Sequence, residues 1–533
     1  MSKITSPAPS RVYLVGGGIA SLAAAVFLIR DGDMQGHRIT IFEQSDVLGG
    51  SLDGAGSPET GYVLRGGRML ESKYLCTFEL FASIPALGGS GTVTDEIFAW
   101  NETMKTSSKS RLFRGGERVT APRFGLSEGH ILTIERLAIE PEGLLGRTSI
   151  ADQFDAAFFQ TDFWLMWCTT FAFQPWHSAV EFARYLVRFV HMVSGFDRLE
   201  GIMRTPFNQY DSMVRPLLKW LKERGVVFEM GTRVTQVGVV SEGGVYTVAR
   251  LVHEKAGIEG VTDLDEGDRA IVTLGSMTEA STLGAMDMAP AMGTKADSGA
   301  WALWEALAPV STKFGKPQVF DDHVDQSKWV SFTVTLNDPL LLNRIADLTG
   351  NVPGEGGLIT FTRSNWLASI VVPYQPHFIG QPAGVSVFWG YGLHVDTPGN
   401  FVNKPMAACT GREILTEVLG HLGLEVEAPT MLEASIVIPC MMPFITAQFL
   451  QRERGDRPEI IPQGATNFAF IGQFCEQPDD VVFTVEYSVR SAQTAVYELL
   501  GIDRKPPPVY KGEFDVRVLL SAFLALHDLR AAA

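Results

Sequence analysis

The first clear pattern along the chain is a short apolar run that ends in a glycine turn and continues with helical spacing. The run from Arg11 to Val15 ends at Gly16, and a second run, Arg38 to Phe42, ends at Glu43. Short apolar runs that alternate with helical segments are typical of parallel strands in α/β proteins. The pattern predicts strand, turn, helix and strand in that order.

The same strand pattern returns far along the chain. It occurs in Glu223 to Val234 (a helix end and a strand), in Arg269 to Leu274, and in Asn467 to Gly472 with a helix over Glu486 to Leu500. Because sequentially distant strands can join one parallel sheet, we expect a sheet assembled from at least three separated pieces.

A third pattern is an aromatic stretch without formal charge, Phe163 to Val180. Its length reaches that of a membrane-spanning helix. Thr169, Gln174 and His177 interrupt it, so a pair of helices lining an apolar interior is favoured. The wider run Ala156 to Phe189 is dense in Phe and Trp. Plain core and a cavity for a long apolar ligand both remain open.

Composition and charge narrow the class of protein. The chain has 533 residues, too many for one hydrophobic core, and a net charge of −16, which argues against nucleic acid and against a strongly basic membrane-binding face. Its five cysteines lack metal or redox spacing, so we predict reduced thiols, no metal site and a cytoplasmic protein. Met1 to Ser10 is short and polar, so no signal peptide is expected.

The glycine turn indicates a dinucleotide site. Gly16 permits a tight turn, and Gly18 lets the backbone approach a pyrophosphate at the start of the helix. Ser21 takes the third position of the fingerprint, where glycine or alanine is usual. Glu43 lies at the spacing of an acidic residue that binds ribose hydroxyls.

Two later glycine pairs favour FAD over a nicotinamide cofactor. They lie in Leu48 to Leu52 and in Arg65 to Arg68, and they suit a chain that wraps closely around a long, permanently held cofactor. The predicted cofactor-binding residues are Gly16, Gly18, Ala20, Ser21, Glu43, Gly49, Gly50, Ser51, Arg65, Gly66, Gly67, Arg68, Val234, Gly275, Ser276 and Gly472.

The predicted fold class is α/β, with a discontinuous Rossmann-like FAD-binding domain, a mixed α/β substrate domain and a helical C-terminal segment. The FAD-binding domain is expected to comprise residues 10–110, 205–285 and 456–510. Residues 111–204 and 286–455 would form the substrate domain, and residues 511–533 the C-terminal segment.

Several longer strings make the chain resemble the oleate hydratases, the FAD-dependent fatty acid hydratases once called myosin-cross-reactive antigens. The strings are FLIRDGDMQG, GGSLDG, GYVLRGGR, PWHSA, RYLVRFVH, NQYDSM and VFTVEYSVR. The resemblance implies addition of water across the cis-9 double bond of a fatty acid such as oleate, giving the 10-hydroxy acid, in a hydro-lyase reaction that does not consume FAD.

The resemblance also implies roles for individual residues. Tyr185 takes the position of the proton donor, and Arg188, one helical turn later, is expected to ease release of its proton. Many family members have a glutamate where this chain has Met69. Glu71, two residues on, is the nearest carboxylate and shares a face with Met69 if the segment is extended.

The carboxylate of the fatty acid is expected to meet Gln209 and His377, again by resemblance. Two neighbouring polar positions of the family pattern are Val371 and Pro373 here. A carboxylate that loses two hydrogen bond donors binds less tightly or in another pose. Read without the resemblance, His377 would be a surface histidine.

The predicted partners are a long-chain unsaturated fatty acid, no nucleic acid, and at most peripheral contact with a membrane. Phe514 to Arg530 has apolar residues at helical spacing, and the longer basic tail of related proteins is absent, which favours a monomer over a homodimer. Two other functions stay open, namely a flavin-dependent oxidoreductase or isomerase of a lipophilic substrate and a non-catalytic flavoprotein that carries fatty acids.

Overall fold

A computed structural model of the chain describes residues 10–89, 91–120 and 122–529. The predicted absence of a signal peptide in Met1 to Ser10 therefore falls almost entirely outside the described residues. The last four residues of the predicted C-terminal segment also lie outside them.

The described residues form strands in five sheets. In chain order the strands are β1 (Val12–Val15), β2 (Ile39–Glu43), β3 (Ala55–Ser57), β4 (Gly61–Val63), β5 (Leu70–Glu71), β6 (Leu112–Arg114), β7 (Glu117–Val119), β8 (Ile202–Met203), β9 (Val227–Met230), β10 (Thr232–Glu242), β11 (Val245–Lys255), β12 (Ile258–Asp263), β13 (Arg269–Thr273), β14 (Thr282–Leu283), β15 (Trp329–Leu336), β16 (Leu358–Phe361), β17 (Ser369–Val371), β18 (Ser386–Gly392), β19 (Ser435–Met442) and β20 (Phe468–Ile471).

Helices connect and cover these sheets. In chain order the α-helices are α1 (Ile19–Arg30), α2 (Leu75–Phe81), α3 (Val93–Thr103), α4 (Glu128–Ile139), α5 (Glu142–Leu145), α6 (Asp162–Phe171), α7 (Ala179–Arg188), α8 (Arg215–Glu223), α9 (Gly299–Leu307), α10 (Gln318–Asp321), α11 (Val324–Ser327), α12 (Leu340–Thr349), α13 (Gly411–Leu422), α14 (Ala428–Glu433), α15 (Val485–Leu500) and α16 (Val516–Leu526).

A parallel five-stranded sheet carries the glycine turn. Its order is β20-β13-β1-β2-β9, so strands from the beginning, the middle and the end of the chain lie side by side. α1 follows β1 and packs against α15. Ala23, Ala24 and Ala25 are fully buried, and their small side chains allow α1 to pack closely on its neighbours. The α/β class and the Rossmann-like sheet from separated pieces are confirmed.

The second large sheet has eight strands in the order β14-β19-β15-β18-β17-β16-β6-β7. All its pairs are antiparallel except β16 with β6. The hairpin β3-β4 reaches over this sheet, where Tyr62 N donates to Thr335 Oγ1 over 2.8 Å. β14 precedes residue 285 yet pairs with β19. The two parts therefore interlock, and the predicted domain boundaries stay a prediction.

The aromatic stretch forms two separate helices, α6 and α7, as predicted. Phe163, Trp167 and Phe182 are buried, and the ring centroids of Phe163 and Trp167 lie 5.4 Å apart. Of the described helices, none combines the length and the apolar character that crossing a membrane requires.

The predicted C-terminal helix is present as α16, which packs against a long 3-10 helix, Val190–Arg198. Ala522 and Ala525 face the protein and are buried. Leu520 and Phe523 are 58% and 45% exposed. The broad apolar face of α16 is thus largely left to solvent.

Candidate active site and cofactor cleft

The glycine turn between β1 and α1 is held by backbone geometry and by one carboxylate. Gly16 has φ +92°, a left-handed value that favours glycine, and its N–H donates to Phe42 O over 2.9 Å. Gly17 N donates to Glu43 Oε2 over 2.7 Å. The other oxygen of Glu43 accepts from Ser45 N over 2.8 Å. The turn and the acidic end of β2 therefore form one unit.

The glycine pair Gly49 and Gly50 packs against the glycine turn between β1 and α1. Gly49 N donates to Gly17 O over 2.9 Å, and a Cβ on Gly50 would lie 3.1 Å from Gly18 Cα. Glycine at both positions permits this approach, because a side chain would have to occupy the space between two backbones. The result is an open glycine cradle at the N-terminus of α1.

A cleft of about 650 Å³ opens over this cradle. The volume is typical of sites for cofactors and drug-sized ligands. Of the predicted cofactor-binding residues, those that line the cleft are Gly16, Gly18, Glu43, Gly50, Arg65, Val234, Gly275 and Ser276.

The other predicted cofactor-binding residues surround the cleft or lie beyond it. Ala20 and Ser21 are buried in α1, and Gly49 and Ser51 belong to the second glycine turn. Gly472 ends β20 with φ +96° and donates to Ser491. Gly66, Gly67 and Arg68 line a different cavity, described next.

That second cavity is small, about 80 Å³, and is lined in part by β15 and β18 of the eight-stranded sheet. It brings Tyr185, Glu71 and Met69 together, although they come from α7, from β5 and from the residue just before β5. Much of the remaining lining is aromatic, including Phe171, Trp329, Trp389, Tyr391 and Phe483. We call this cavity the reaction pocket.

Tyr185 lies in a cage of aromatic rings. Its ring centroid lies 4.9 to 5.3 Å from those of Phe171, Phe173 and Phe189, and only 1% of the residue is exposed. The hydroxyl donates to Val482 O over 2.6 Å. Burial, helped by Tyr74 and nearby carboxylates, raises the pKa of Tyr185 well above its ordinary value, and Arg188 does not offset this. Tyr185 therefore stays protonated near neutral pH.

The charge of Arg188 favours proton release from Tyr185, as expected, but it is outweighed by burial, and the guanidinium itself pairs with carboxylates. Arg188 Nη1 donates to Glu71 Oε1 over 3.0 Å, and its Nε lies 3.4 Å from Asp480 Oδ1. Two buried carboxylates attract the guanidinium more strongly than a neutral phenol does.

Glu71 is buried and ionised. Burial favours its protonated form, but the hydrogen bond from His191 and the charge of Arg188 outweigh burial, so the pKa of Glu71 lies below its ordinary value. Lys73 N also donates to Glu71 Oε2 over 2.6 Å. The segment is extended at β5, and Met69 and Glu71 line the same pocket, as the extended alternative predicts.

A third cavity, about 30 Å³, shares Gly67, Arg68 and Trp389 with the reaction pocket. Gln209 and His377 both line it. Gln209 Nε2 donates to Arg68 O over 2.8 Å, just before a π-helical turn, Tyr210–Val214. We call this cavity the anchor pocket.

His377 is not at the surface, since only 8% of it is exposed. Asn208 donates twice to its carbonyl oxygen, over 2.8 and 3.0 Å, which draws the loop inward. Burial, together with the charge of Arg204, lowers the pKa of His377 to about 3. The imidazole is therefore neutral and has one N–H to donate.

Sequence reasoning missed several residues of these cavities. Trp389 and Tyr391 lie two apart on β18, and strand alternation would have placed them on one face. Asp53 and Arg233 line the cleft, and each has a buried polar atom, Oδ1 and Nε, without a hydrogen bond partner. Arg204 in the anchor pocket follows a strand of only two residues, which gives no periodic signal.

A parallel sheet with a glycine cradle beside the acidic end of β2 defines a Rossmann-type α/β fold. Two solved structures share the fold. An oxidoreductase from Methanosarcina mazei has a TM-score of 0.50 and 13% identity, with 92% of this chain and 100% of that chain covered. A cyclohexylamine oxidase from Brevibacterium oxydans IH-35A has a TM-score of 0.52 and 12% identity, with 92% and 99% covered.

The chain belongs to the MCRA family, whose model matches residues 9–497. An oleate hydratase of Streptococcus pyogenes serotype M49 (strain NZ131) is 40% identical over 532 residues, covering 97% of this chain and 90% of that protein. A linoleate hydratase of Lactiplantibacillus plantarum is 33% identical over 539 residues, covering 92% and 94%. The family expected from the sequence is thus confirmed.

Proposed function

We propose that the protein is a hydro-lyase that adds water to the double bond of a long-chain unsaturated fatty acid. For oleate the product would be the 10-hydroxy acid, formed by addition across the cis-9 bond. One observation carries the proposal: the reaction pocket with Tyr185 and Glu71 shares its wall with the anchor pocket with Gln209 and His377. The names of the two hydratase relatives support it.

Tyr185 is the proposed proton donor. An isolated alkene is a very weak base, so its protonation needs an acid held against one carbon. The high pKa of Tyr185 keeps the donor form fully populated. The aromatic cage excludes water, and the proton of the phenol then goes to the alkene carbon rather than to solvent.

Glu71 is the proposed partner of the attacking water. Proton transfer to one carbon leaves positive charge on the other, and an ionised carboxylate in a dry site stabilises that charge. The oxygen of water bonds to the second carbon. The proton that this water loses replaces the one given by Tyr185 and restores its phenol. Met69 has a thioether in place of the carboxylate of many relatives, so Glu71 is the nearest anionic group.

Gln209 and His377 are proposed to bind the fatty acid carboxylate. Both have donor groups and both line the anchor pocket. A carboxylate held there would direct the chain past Gly67 and Trp389 into the reaction pocket, which sets the carbon that meets Tyr185.

FAD is the proposed cofactor, and the cleft fits it. Gly16, Gly18 and Gly50 line the cleft at the N-terminus of α1, where a pyrophosphate would bind, and Glu43 lines it at the spacing of a ribose-binding acid. Asp53 Oδ1 and Arg233 Nε are buried polar atoms that a bound nucleotide would satisfy. When bound, the flavin supplies a flat ring and a tunable charge beside the pocket.

The substrate domain, the C-terminal segment and the FAD-binding domain are proposed with the boundaries given above. We also propose a cytoplasmic monomer that meets membranes at most peripherally. All five cysteines are buried and free, which suits a reducing compartment.

The test incubates the purified protein with oleate and FAD in ¹⁸O-labelled water and measures the label in the product by mass spectrometry. We expect one labelled hydroxyl per product molecule and no net consumption of electrons. A product that needs oxygen or another electron acceptor would identify an oxidoreductase. Bound oleate without labelled product, with reduced or oxidised flavin, would identify a carrier.

A further inference from the structure

Arg204 has a fixed main chain and an uncommitted side chain. It directly follows β8, which pairs with β5 at Leu70 and Glu71. The side chain of Asn101 clamps its backbone: Arg204 N donates to Asn101 Oδ1 over 2.9 Å, and Asn101 Nδ2 donates to Arg204 O over 2.7 Å. The position of the residue therefore does not depend on its guanidinium group.

The guanidinium has no partner for its charge. Nε and Nη2 of Arg204 are buried without a hydrogen bond, and no carboxylate of the described residues lies within ion-pair distance of it. Burial lowers the pKa of Arg204 to about 10, so the group is still a cation near neutral pH. An unpaired buried charge is strongly unfavourable, and proteins keep one mainly where a ligand compensates it.

The surroundings of Arg204 are shaped to admit such a ligand. Arg204 lines the anchor pocket with Gln209 and His377. Gly357 lets the guanidinium lie close against the backbone, since a Cβ there would lie 2.7 Å from Nη2. The other cation of the pocket, Arg68, is directed elsewhere: its Nη2 contacts Met277 Sδ, and its guanidinium lies over the ring of Phe483.

We propose that Arg204 binds the carboxylate of the fatty acid by a charge-assisted contact. This rests on the proposed function. Of the two polar family positions that the chain lacks, Val371 is fully buried in β17 and Pro373 lines the anchor pocket without a donor. One guanidinium supplies more donors and a full charge. The protein is therefore selective for free fatty acids over the corresponding alcohols and esters.

The experiment compares Arg204→Met and Arg204→Lys with the wild-type holoenzyme. Hydration of oleate and of oleyl alcohol gives kcat and KM, and titration with stearate, which has no double bond, gives binding alone. In Arg204→Met we expect KM for oleate and Kd for stearate to rise about tenfold or more, with little change in kcat. Preference for oleate over oleyl alcohol should fall, and Arg204→Lys should restore part of it.

Thermal unfolding separates this role from a structural one. Ligand-free Arg204→Met should be at least as stable as wild type, because an unpaired buried charge is removed, while the increase in Tm with stearate should shrink. Arg198→Met, which alters a half-exposed arginine outside both pockets, is the control. An unchanged Kd for stearate in Arg204→Met would overturn the proposal that Arg204 binds the carboxylate.

Stearate also separates this proposal from the proposed function. If the wild type binds stearate but forms no hydroxy acid from oleate, the proposed hydratase function fails. The effect of Arg204→Met on the Kd for stearate still shows whether Arg204 binds the carboxylate. If the wild type binds neither fatty acid, both proposals are overturned.

Discussion

Arg188 donates to Glu71 over 3.0 Å inside the protein, and 2% and 3% of the two side chains are exposed. The pair joins α7, which carries the proposed proton donor, to β5, which carries the proposed partner of water. Together with His191, Arg188 holds the pKa of Glu71 below its ordinary value. The same cation therefore favours the ionised form of the carboxylate proposed to stabilise positive charge.

Glu71→Gln should slow hydration of oleate by about 100-fold in kcat, because a neutral amide cannot stabilise positive charge as a carboxylate does. Arg188 retains Asp480 as a partner, so the fold should survive. The check is steady-state turnover together with flavin content. Glu79→Gln, which alters a more exposed carboxylate paired with Arg30, is the control. An unchanged kcat would mean that backbone groups and the flavin position the attacking water without Glu71.

Met69→Glu should introduce a second carboxylate into the reaction pocket. Two nearby carboxylates do not both ionise easily, so the pKa of one of them should rise above the ordinary value of about 4.3. A base nearer neutral pH accepts a proton from water more effectively. We expect a higher kcat and a new acidic limb in the pH profile of kcat. In the double variant Met69→Glu with Glu71→Gln only one carboxylate remains, so this limb should move to lower pH. A profile identical to that of the wild type would contradict this.

Much of the fold was predictable because the parallel strands give strong local signals. β1, β2, β13 and β20 are short buried runs closed by glycine or an acid, and the glycines have a backbone reason to be there. The eight-stranded sheet gave no such signal. Strands that pair in it can lie far apart along the chain, as β6 (Leu112–Arg114) and β16 (Leu358–Phe361) do, and β14 has only two residues, too few for any periodicity.

The site was predictable where the chain resembles its family and not where it departs from it. Tyr185 and Glu71 do line one pocket, and Gln209 and His377 do line another. The effect of Arg188 on Tyr185 has the predicted sign, but its ion pairs with Glu71 and Asp480 were not predicted, because helical spacing gives the face of a side chain and not its strongest partner. Arg204 was missed because an isolated arginine in a loop looks like any surface cation until its burial is known.

Tyr185→Phe should reduce kcat by about 100-fold or more, since the phenyl ring keeps the packing but has no proton to give. Flavin content and Tm should change little. Tyr246→Phe removes a hydroxyl that bonds Ser311 outside the three cavities, and it should retain normal turnover. A rate near that of wild type in Tyr185→Phe would mean that another acid protonates the alkene.

Gly17→Ala should reduce the amount of FAD that co-purifies with the protein. A Cβ on Gly17 would lie 2.4 Å from Leu48 Cδ2 and 2.8 Å from Glu43 Oε2, so it displaces the carboxylate proposed to bind ribose. The absorbance of flavin relative to protein measures occupancy. Gly88→Ala is the matched control, because no atom lies within 4 Å of its added Cβ. Equal flavin content in both variants would exclude the glycine cradle as the cofactor site.

Glu181→Gln should lower stability in a way that depends on pH. Glu181 is fully buried on α7, and its Oε1 accepts from Arg452 over 2.7 Å and from Arg457 over 2.9 Å. Burial favours the acid form, but Arg457 and Arg452 outweigh it and lower the pKa of Glu181 to about 2. A depressed pKa in the folded state contributes stability that is complete above the unfolded pKa, about 4.3, and is lost as pH falls toward 2.

The variant leaves two buried arginines without this charge, so the free energy of unfolding at pH 7 should fall by about 3 kcal/mol or more. The difference from wild type should stay constant between pH 7 and pH 5. It should narrow below about pH 4, where Glu181 of the unfolded wild-type chain becomes protonated before that of the folded protein. Urea unfolding at several pH values measures it, with the exposed Glu266→Gln as control. A difference that does not change down to pH 3 would show that the ion pairs contribute nothing and that Glu181 acts by packing alone.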